Sequence, residues 1–243
     1  DSSGDLRPDG PLVGYRQFIT VNNISADEEA AGFPAANMAN PSTAEKWKAT
    51  SDAQQAVTVQ LASPAICDYV GIARHNLGTI GCTVQVQAST DGDTWSDLGD
   101  DFIPGNDSPI MVRFEDTTGP YFRLLLTPVE YTVPEIAVFY LGRLLVLQRN
   151  ISRGHTPITM SYANVASVGV SESGEFLGAI ARRANPATEV KQSNITKTWA
   201  RSSLAPFFAQ CSGYASDRNR TPFFFAWRPT TYPNEVAYGW FPE

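Results

Sequence analysis

Apolar residues recur along the chain in short runs, with turn residues between them. The runs are LVGYRQFITV (12–21), AVTVQL (56–61), ICDYVGIA (66–73), CTVQVQA (82–88), IMVRF (110–114), YFRLLLT (121–127) and EIAVFYLG (135–142). They are followed by RLLVLQR (143–149), a stretch around ITMSYANVASVGV (158–170), FFFAW (223–227) and EVAYGWF (235–241). Within 82–88, Val84, Val86 and Ala88 alternate with Thr83, Gln85 and Gln87, the period of a half-buried strand. Asp91-Gly92 then supplies the turn and Trp95 opens a return strand, which predicts a hairpin. A hairpin with one apolar face needs a covering layer, so the pattern predicts an all-β sandwich or barrel. Only two segments read as helical. FPAANMAN (33–40) makes one short turn before Pro41, and SLAPFFAQCSGY (203–214) makes a helix capped by Ser202 or Ser203 and stopped by Gly213. Pro206 confines that helix to a start close by, because proline is tolerated only in a first turn.

The texture changes near residue 142. Before it the strands follow one plan. After it come a Ser/Gly-rich middle (SVGVSESGEFLG), the helix and a close in which eight of twenty-one residues, 221–241, are aromatic. This predicts three parts: an N-terminal arm and strand (1–33), a sandwich (34–142) and a second mainly-β domain with one short helix (143–243). The aromatic close reads as the core and final hairpin of that second domain.

Composition narrows the classes. Hydrophobic residues make up 42% of the chain and charged ones 18%, enough to bury a core. The formal net charge is −7 and no Lys/Arg cluster is longer than Arg182-Arg183, so nucleic acid is not an expected partner. No run has the length of a membrane span, and no membrane insertion is expected. The N-terminus carries no apolar signal segment. The cysteines, Cys67, Cys82 and Cys211, are odd in number and lack CxxC spacing, which argues against a disulfide framework and against zinc and suits a reducing cytoplasm.

No catalytic constellation emerges. The two histidines are His75 and His155, the latter in a turn-like context that reads as solvent-facing. GVSESG (169–174) lacks the spacing of a nucleophile elbow. Carboxylates such as Glu115, Asp116, Glu130 and Glu135 have no sequence relation that would pair them for glycoside cleavage. No phosphate-cradling loop or dinucleotide fingerprint is present, so the expectation is a protein that is not an enzyme and needs no cofactor.

The order NPSTAEKWKA, AVTVQL, YVGIARHN, VQVQASTDGDTWSDL, YFRLLLTP, EIAVFYLG resembles the discoidin family, the F5/8 type C or galactose-binding-like domains, over about 34–142. The element carrying most of the resemblance is S-x-D-G-x-x-W, formed by Ser89, Asp91, Gly92 and Trp95. The resemblance implies an eight-stranded jelly-roll-like sandwich with a ligand-binding loop end. Such domains bind glycans, lipid headgroups or neighbouring proteins. For carbohydrate binding it points to Arg74, His75 and Asn76, just after a strand, with Trp47 either as a stacking face or as a plug in the bottom of the sandwich. Arginine and asparagine bond vicinal hydroxyls, and a ring face covers a sugar's CH patch. Family members often hold a structural calcium. Asp91, Asp93, Asp97, Asp100 and Asp101 lie near one another, but without a calcium-loop spacing, and no metal site is expected.

The ending PFFFAWRPTTYPNEVAYGWF resembles the close of bacteriophage tail proteins near the tail tip or baseplate. That resemblance implies a virion structural protein, assembled in the bacterial host cytoplasm. Its partners would be other tail or baseplate proteins, copies of itself in a homo-oligomer, and a host surface glycan. Two functions therefore stand side by side: a tail component acting through protein–protein contacts, and a carbohydrate-binding module acting through the sandwich loops.

Overall fold

The computed structural model describes residues 9–151, 154–161, 164–184, 186–213 and 220–242. The sandwich is built from β2 to β8, with β1 (Leu12–Gly14) set apart from it. In order these are β2 (Ile24–Ala26), β3 (Trp47–Lys48), β4 (Gln55–His75), β5 (Thr83–Ser89), β6 (Ser96–Asp97), β7 (Ile110–Thr127) and β8 (Glu135–Gly142). A 3₁₀ turn, Ala35–Ala39, matches the short turn expected at 33–40.

Two runs read as separate strands in the sequence, 56–61 and 66–73, are one continuous strand, β4. The runs 110–114 and 121–127 likewise merge into β7. The two long strands pair antiparallel from Gln55↔Leu126 to Ile72↔Ile110, with register shifts between Gln60 and Ala65 and between Cys67 and Tyr69. Pro64 in one strand and Gly119-Pro120 in the other thus mark bends rather than turns. β2 and β5 flank the half of this ribbon that runs from Gln55 to Gln60, while β8 flanks the half from Tyr69 to His75. The ribbon therefore joins the two halves of one seven-stranded sheet, in the order β3-β8-β4-β7-β5-β6 with β2 on β4, and its bends lay one half over the other. Between them lies one core that includes Val57, Val59, Ile72, Val84, Val86, Phe122, Leu124, Ile136 and Phe139.

The hairpin after β5 closes on a side-chain-braced turn. Asp91 Oδ1 accepts from the backbone N–H of Asp93 (2.9 Å) and Thr94 (2.8 Å) and from Ser89 Oγ (2.8 Å), while Gly92 takes φ 85°. Backbone donation from Thr94 and Asp93 holds the Asp91 carboxyl well below the usual carboxylate range. The return strand, β6, has only two residues. Trp95 leaves the ladder and lies under the Arg123 guanidinium, 4.0 Å from its ring centroid.

β8 is buried along its length because it is covered on both faces. One face joins the sandwich core. On the other, Ala137, Val138 and Tyr140 meet Tyr69, Ala73, Leu12, Phe224 and Val236. The last three come from a second, four-stranded sheet in the order β13-β12-β1-β9. Here β9 is Leu145–Val146, β12 is Phe223–Ala226 and β13 is Val236–Gly239, and between them in sequence lie β10 (Asn164–Val170) and β11 (Phe176–Ala184). β1 pairs with β12 and β9, whereas β2 pairs with β4. The expected arm at 1–33 is therefore divided: its first strand completes the C-terminal sheet and its second joins the sandwich, while residues 1–8 lie outside the described residues. The small sheet approaches the sandwich over two glycines. A Cβ on Gly14 would fall 2.5 Å from the Tyr69 ring, and one on Gly71 would fall 2.7 Å from the Phe224 ring.

The far face of the small sheet, with Val13, Tyr15, Leu145 and Phe225, is covered by Phe207 and Cys211 of a helical segment. That segment starts earlier than the sequence suggests. It comprises α1 (Lys197–Trp199), a π-helical stretch (Ala200–Leu204) and α2 (Ala205–Cys211). Thr196, not Ser202 or Ser203, is the N-cap. Pro206 is accommodated inside the segment because the preceding π-turn relieves its clash with the carbonyl four residues back. All three cysteines are buried free thiols, and burial pushes each up to about 12. His155 is half-buried rather than solvent-facing, packed 5.3 Å from the Trp227 ring.

Candidate functional site

The loops at the His75 end of β4 form a tied cluster. His75 is buried, with Nδ1 accepting from the Leu77 N–H (3.2 Å) and Nε2 2.9 Å from the Ser108 carbonyl. With Nδ1 an acceptor, Nε2 carries the proton and donates to Ser108, so the ring is the neutral tautomer. Asn76 ties the opposite side: its Nδ2 donates to the Val133 carbonyl and its Oδ1 accepts from the Glu135 N–H, each at 2.9 Å. Thr79 donates from N (2.8 Å) and Oγ1 (2.5 Å) to Asp107. Glu135 also pairs with Lys46 at 2.7 Å.

Three of the four sequence-predicted contacts belong to this frame or to the core. Trp47 is 0% exposed, and its Nε1 donates to the Glu28 carbonyl at 2.8 Å. Of the two roles open to it, the plug is the one the fold uses, and it offers no stacking face because core side chains surround the ring. His75 and Asn76 spend their polar atoms on backbone groups, so they position loops and do not reach for a ligand. Arg74 alone is exposed, on a left-handed backbone of φ 55°. Among the described residues its guanidinium has no ion pair.

A residue without a sequence signal joins it at this end. Tyr131 is 88% exposed and also left-handed, at φ 64°, and its N–H donates to Asp52 Oδ2 at 2.6 Å. Its loop is the one Asn76 holds through Val133. Arg74 and Tyr131 are two of the three described non-glycine residues with positive φ. For side chains of this size that backbone costs about 1–3 kcal/mol, and it persists only where the surroundings impose it. The visible clue in the sequence was a lone tyrosine in a Pro-flanked loop, PVEYTVP, which periodicity cannot rank.

Burial holds the pKa of His75 below its ordinary 6.5, against the hydrogen bond to Ser108, which raises it. A histidine depressed in the folded state stabilises the fold fully above the unfolded pKa and loses that contribution as pH falls through the lower folded value. Protonation of Nδ1 would also turn two donors, His75 and Leu77 N–H, toward each other. Urea midpoints should therefore fall on acidification from pH 6.5, well before the carboxylates titrate near pH about 4. A His75→Gln variant should flatten that part of the profile. Parallel profiles for the two proteins across this window would refute the assignment.

Residues 21–137 match the family model of the F5/8 type C domain. No curated protein matches the chain. Among solved structures, the module CpGH89CBM32-5 from Clostridium perfringens, in complex with GalNAc-β-1,3-galactose, is 12% identical. The match covers 49% of this chain and 93% of that one at a TM-score of 0.44. Chitosan-binding module 1 of a chitosanase/glucanase from Paenibacillus sp. IK-5 is 18% identical over 52% of this chain and 98% of that one, at 0.46. A pectin-binding carbohydrate-binding module is 17% identical over 51% and 90%, at 0.42. The resemblance of the C-terminal stretch to phage tail proteins finds no support in these matches. The F5/8 type C domain is supported at residues 21–137, by the family match and by the β-sandwich core that these residues build.

Proposed function

We propose that the protein is a non-catalytic binding module that takes a glycan at the loop end of its sandwich, with Arg74 and Tyr131 as the contacting side chains. The observation that carries this reading is the pair of exposed, left-handed, non-glycine residues: Arg74 lies two residues before Asn76, and Tyr131 lies in the loop that Asn76 holds through Val133. Strained backbone of this kind concentrates where ligands are clamped. An exposed phenol ring supplies a flat apolar face for a sugar's CH patch, and a guanidinium supplies a fork of donors for adjacent hydroxyls. The reading keeps the ligand class that the discoidin resemblance implies and replaces Trp47 by Tyr131 as the platform.

A glycan array probed with the full chain should retain a defined set of glycans, and calorimetric titration with a retained glycan should give saturable binding. Arg74→Ala and Tyr131→Ala should each weaken that binding about tenfold or more, which is a free-energy loss of about 1.4 kcal/mol or more. Their thermal midpoints should stay close to the parent's, because both side chains are exposed. An array that retains nothing, or variants that bind as tightly as the parent, would overturn the proposal.

A role as a structural component of a phage tail is a separate reading and is compatible with this site. What favours an assembly role is the exposed apolar hairpin β10–β11. Antibody labelling of tail-like particles by electron microscopy tests the tail context directly, and absence of label from every particle would exclude it.

A further inference from the structure

The hairpin β10–β11 stands as a two-stranded sheet of its own. β10 pairs with β11, and among the described residues neither strand has another partner. Two strands alone are marginal in water unless something covers an apolar face. Here the apolar side chains lie open on both faces. Val168 (59% exposed) is registered with Ala179, and Val170 (58%) with Phe176 (70%), on one face; Ile180 (73%) is registered with Ser167 on the other.

The two edges differ. The register skips Leu177 and Arg182, so both irregularities bulge β11, and Arg182 and Arg183 occupy its end. Bulges are a usual protection of an exposed edge. β10, NVASVGV, carries no extra residue, and its sequence has no charge and no proline. The turn between the strands carries Glu172 and Glu175, both exposed. One end of the hairpin is therefore acidic, and the other holds the arginine pair in its strand.

We infer that β10 is a self-association edge, pairing antiparallel with β10 of a second copy of this chain about a two-fold axis. The arrangement is self-complementary. An uncharged strand meets its own copy, and antiparallel alignment sets the acidic turn of each hairpin beside the arginine end of the other. The resulting four-stranded sheet satisfies the one open edge of β10 in each copy and makes one continuous apolar surface from two marginal hairpins. A lipid surface fits less well, because the hairpin would enter it with Glu172 and Glu175 first.

Sedimentation velocity of the full chain tests this. At concentrations of about 100 µM, above the dissociation constant of even a weak specific contact, the chain should sediment at twice its 26.5 kDa. Val168→Lys places a charge on the open edge and should return the species to monomer. The double change Glu172→Lys with Glu175→Lys should weaken the dimer by about tenfold at low salt and reverse its salt dependence, because salt then screens a repulsion instead of an attraction. The second variant decides if the first misfolds by circular dichroism. A parent that is monomeric throughout, or a dimer that neither variant alters, overturns the inference. Binding to anionic vesicles by a chain that stays monomeric, lost in Val168→Lys, overturns it in favour of a lipid surface.

Discussion

Replacing Trp47 by alanine should destabilise the protein by about 3–5 kcal/mol, the range for removing a large aromatic side chain from a packed core. The indole is 0% exposed at the start of β3, in the same core cluster as Met38, Val57, Leu77 and Ile136. Its removal leaves a cavity that strands on both sides are too well paired to close. It also leaves the Glu28 carbonyl without its donor. Glu28 is a local hub: its carboxylate accepts from the Thr50 N–H and hydroxyl and from Ser51 Oγ, and those hydrogen bonds, from Thr50 first, hold it below the usual carboxylate range. Losing the indole therefore loosens the segment that leads from β3 into β4. Trp47→Phe keeps much of the volume and forfeits the hydrogen bond, so its cost should be well below that of alanine, with about 1 kcal/mol from the bond. Denaturant unfolding followed by circular dichroism measures both. A loss under about 1 kcal/mol for Trp47→Ala would contradict a core role. Trp47→Phe should also retain glycan binding, which separates a plug from a platform.

Phe224→Ala should cost a similar amount, about 3–5 kcal/mol, and for a different reason. Phe224 is the ring that the second sheet sets onto the sandwich. It lies directly over Gly71 of β4, with Tyr140 at 5.3 Å between centroids in an edge-on arrangement and Tyr238 at 4.8 Å. Alanine would remove the filling above a glycine that has no side chain to compensate, and would leave Tyr140 and Tyr238 with only each other's ring, 5.9 Å away, of the three-ring cluster. Tyr140, whose hydroxyl donates to the Pro222 carbonyl at 3.1 Å, would lose packing on the same side. The expected signature is early release of the C-terminal sheet, seen as faster limited proteolysis of residues 143–242 while the sandwich persists. An unfolding midpoint equal to the parent's, with unchanged proteolysis, would show that Phe224 does not couple the layers.

The sequence and the structure agree where a local period suffices. Val84, Val86 and Ala88 alternate with Thr83, Gln85 and Gln87, and the structure buries the first set. The Asp91-Gly92 turn, the short turn before Pro41 and the buried state of Cys67 and Cys82 are of the same kind, since each follows from neighbours in the chain. They differ where a residue's meaning comes from a distant partner. Pro64 and Gly119-Pro120 look like turn signals, but two strands that bend together keep their ladder. The helical segment begins at Lys197, where Thr196 caps it, because Trp199 and Leu204 pack on the same cluster as Phe207 and Cys211 and so hold both sides of Pro206 helical. β1 enters the C-terminal sheet through contacts more than two hundred residues away in sequence, such as Val13↔Phe225.

The loop end shows the same division. Arg74, His75 and Asn76 were legible as a polar triplet at the end of an apolar run, but not as lying after the strand: β4 continues through His75, and only Asn76 follows it. Their separate duties were not legible either, because a side chain's freedom depends on whether backbone groups elsewhere claim its polar atoms. Ser108, Val133 and Glu135 claim those of His75 and Asn76, and nothing described claims Arg74. Tyr131 carries no pattern at all, since one exposed aromatic among loop residues has no period to betray it. By itself, then, the sequence determined the all-β class, the sandwich with its hairpin turn, and the break in texture near residue 142. The tertiary structure decided which strands are continuous, where β1 belongs, that Trp47 is filled around, and that Tyr131 stands out beside the loop frame. The physical reason is range: alternation, turn chemistry and capping act over a few residues, whereas burial and hydrogen-bond satisfaction are settled by groups that only folding brings together.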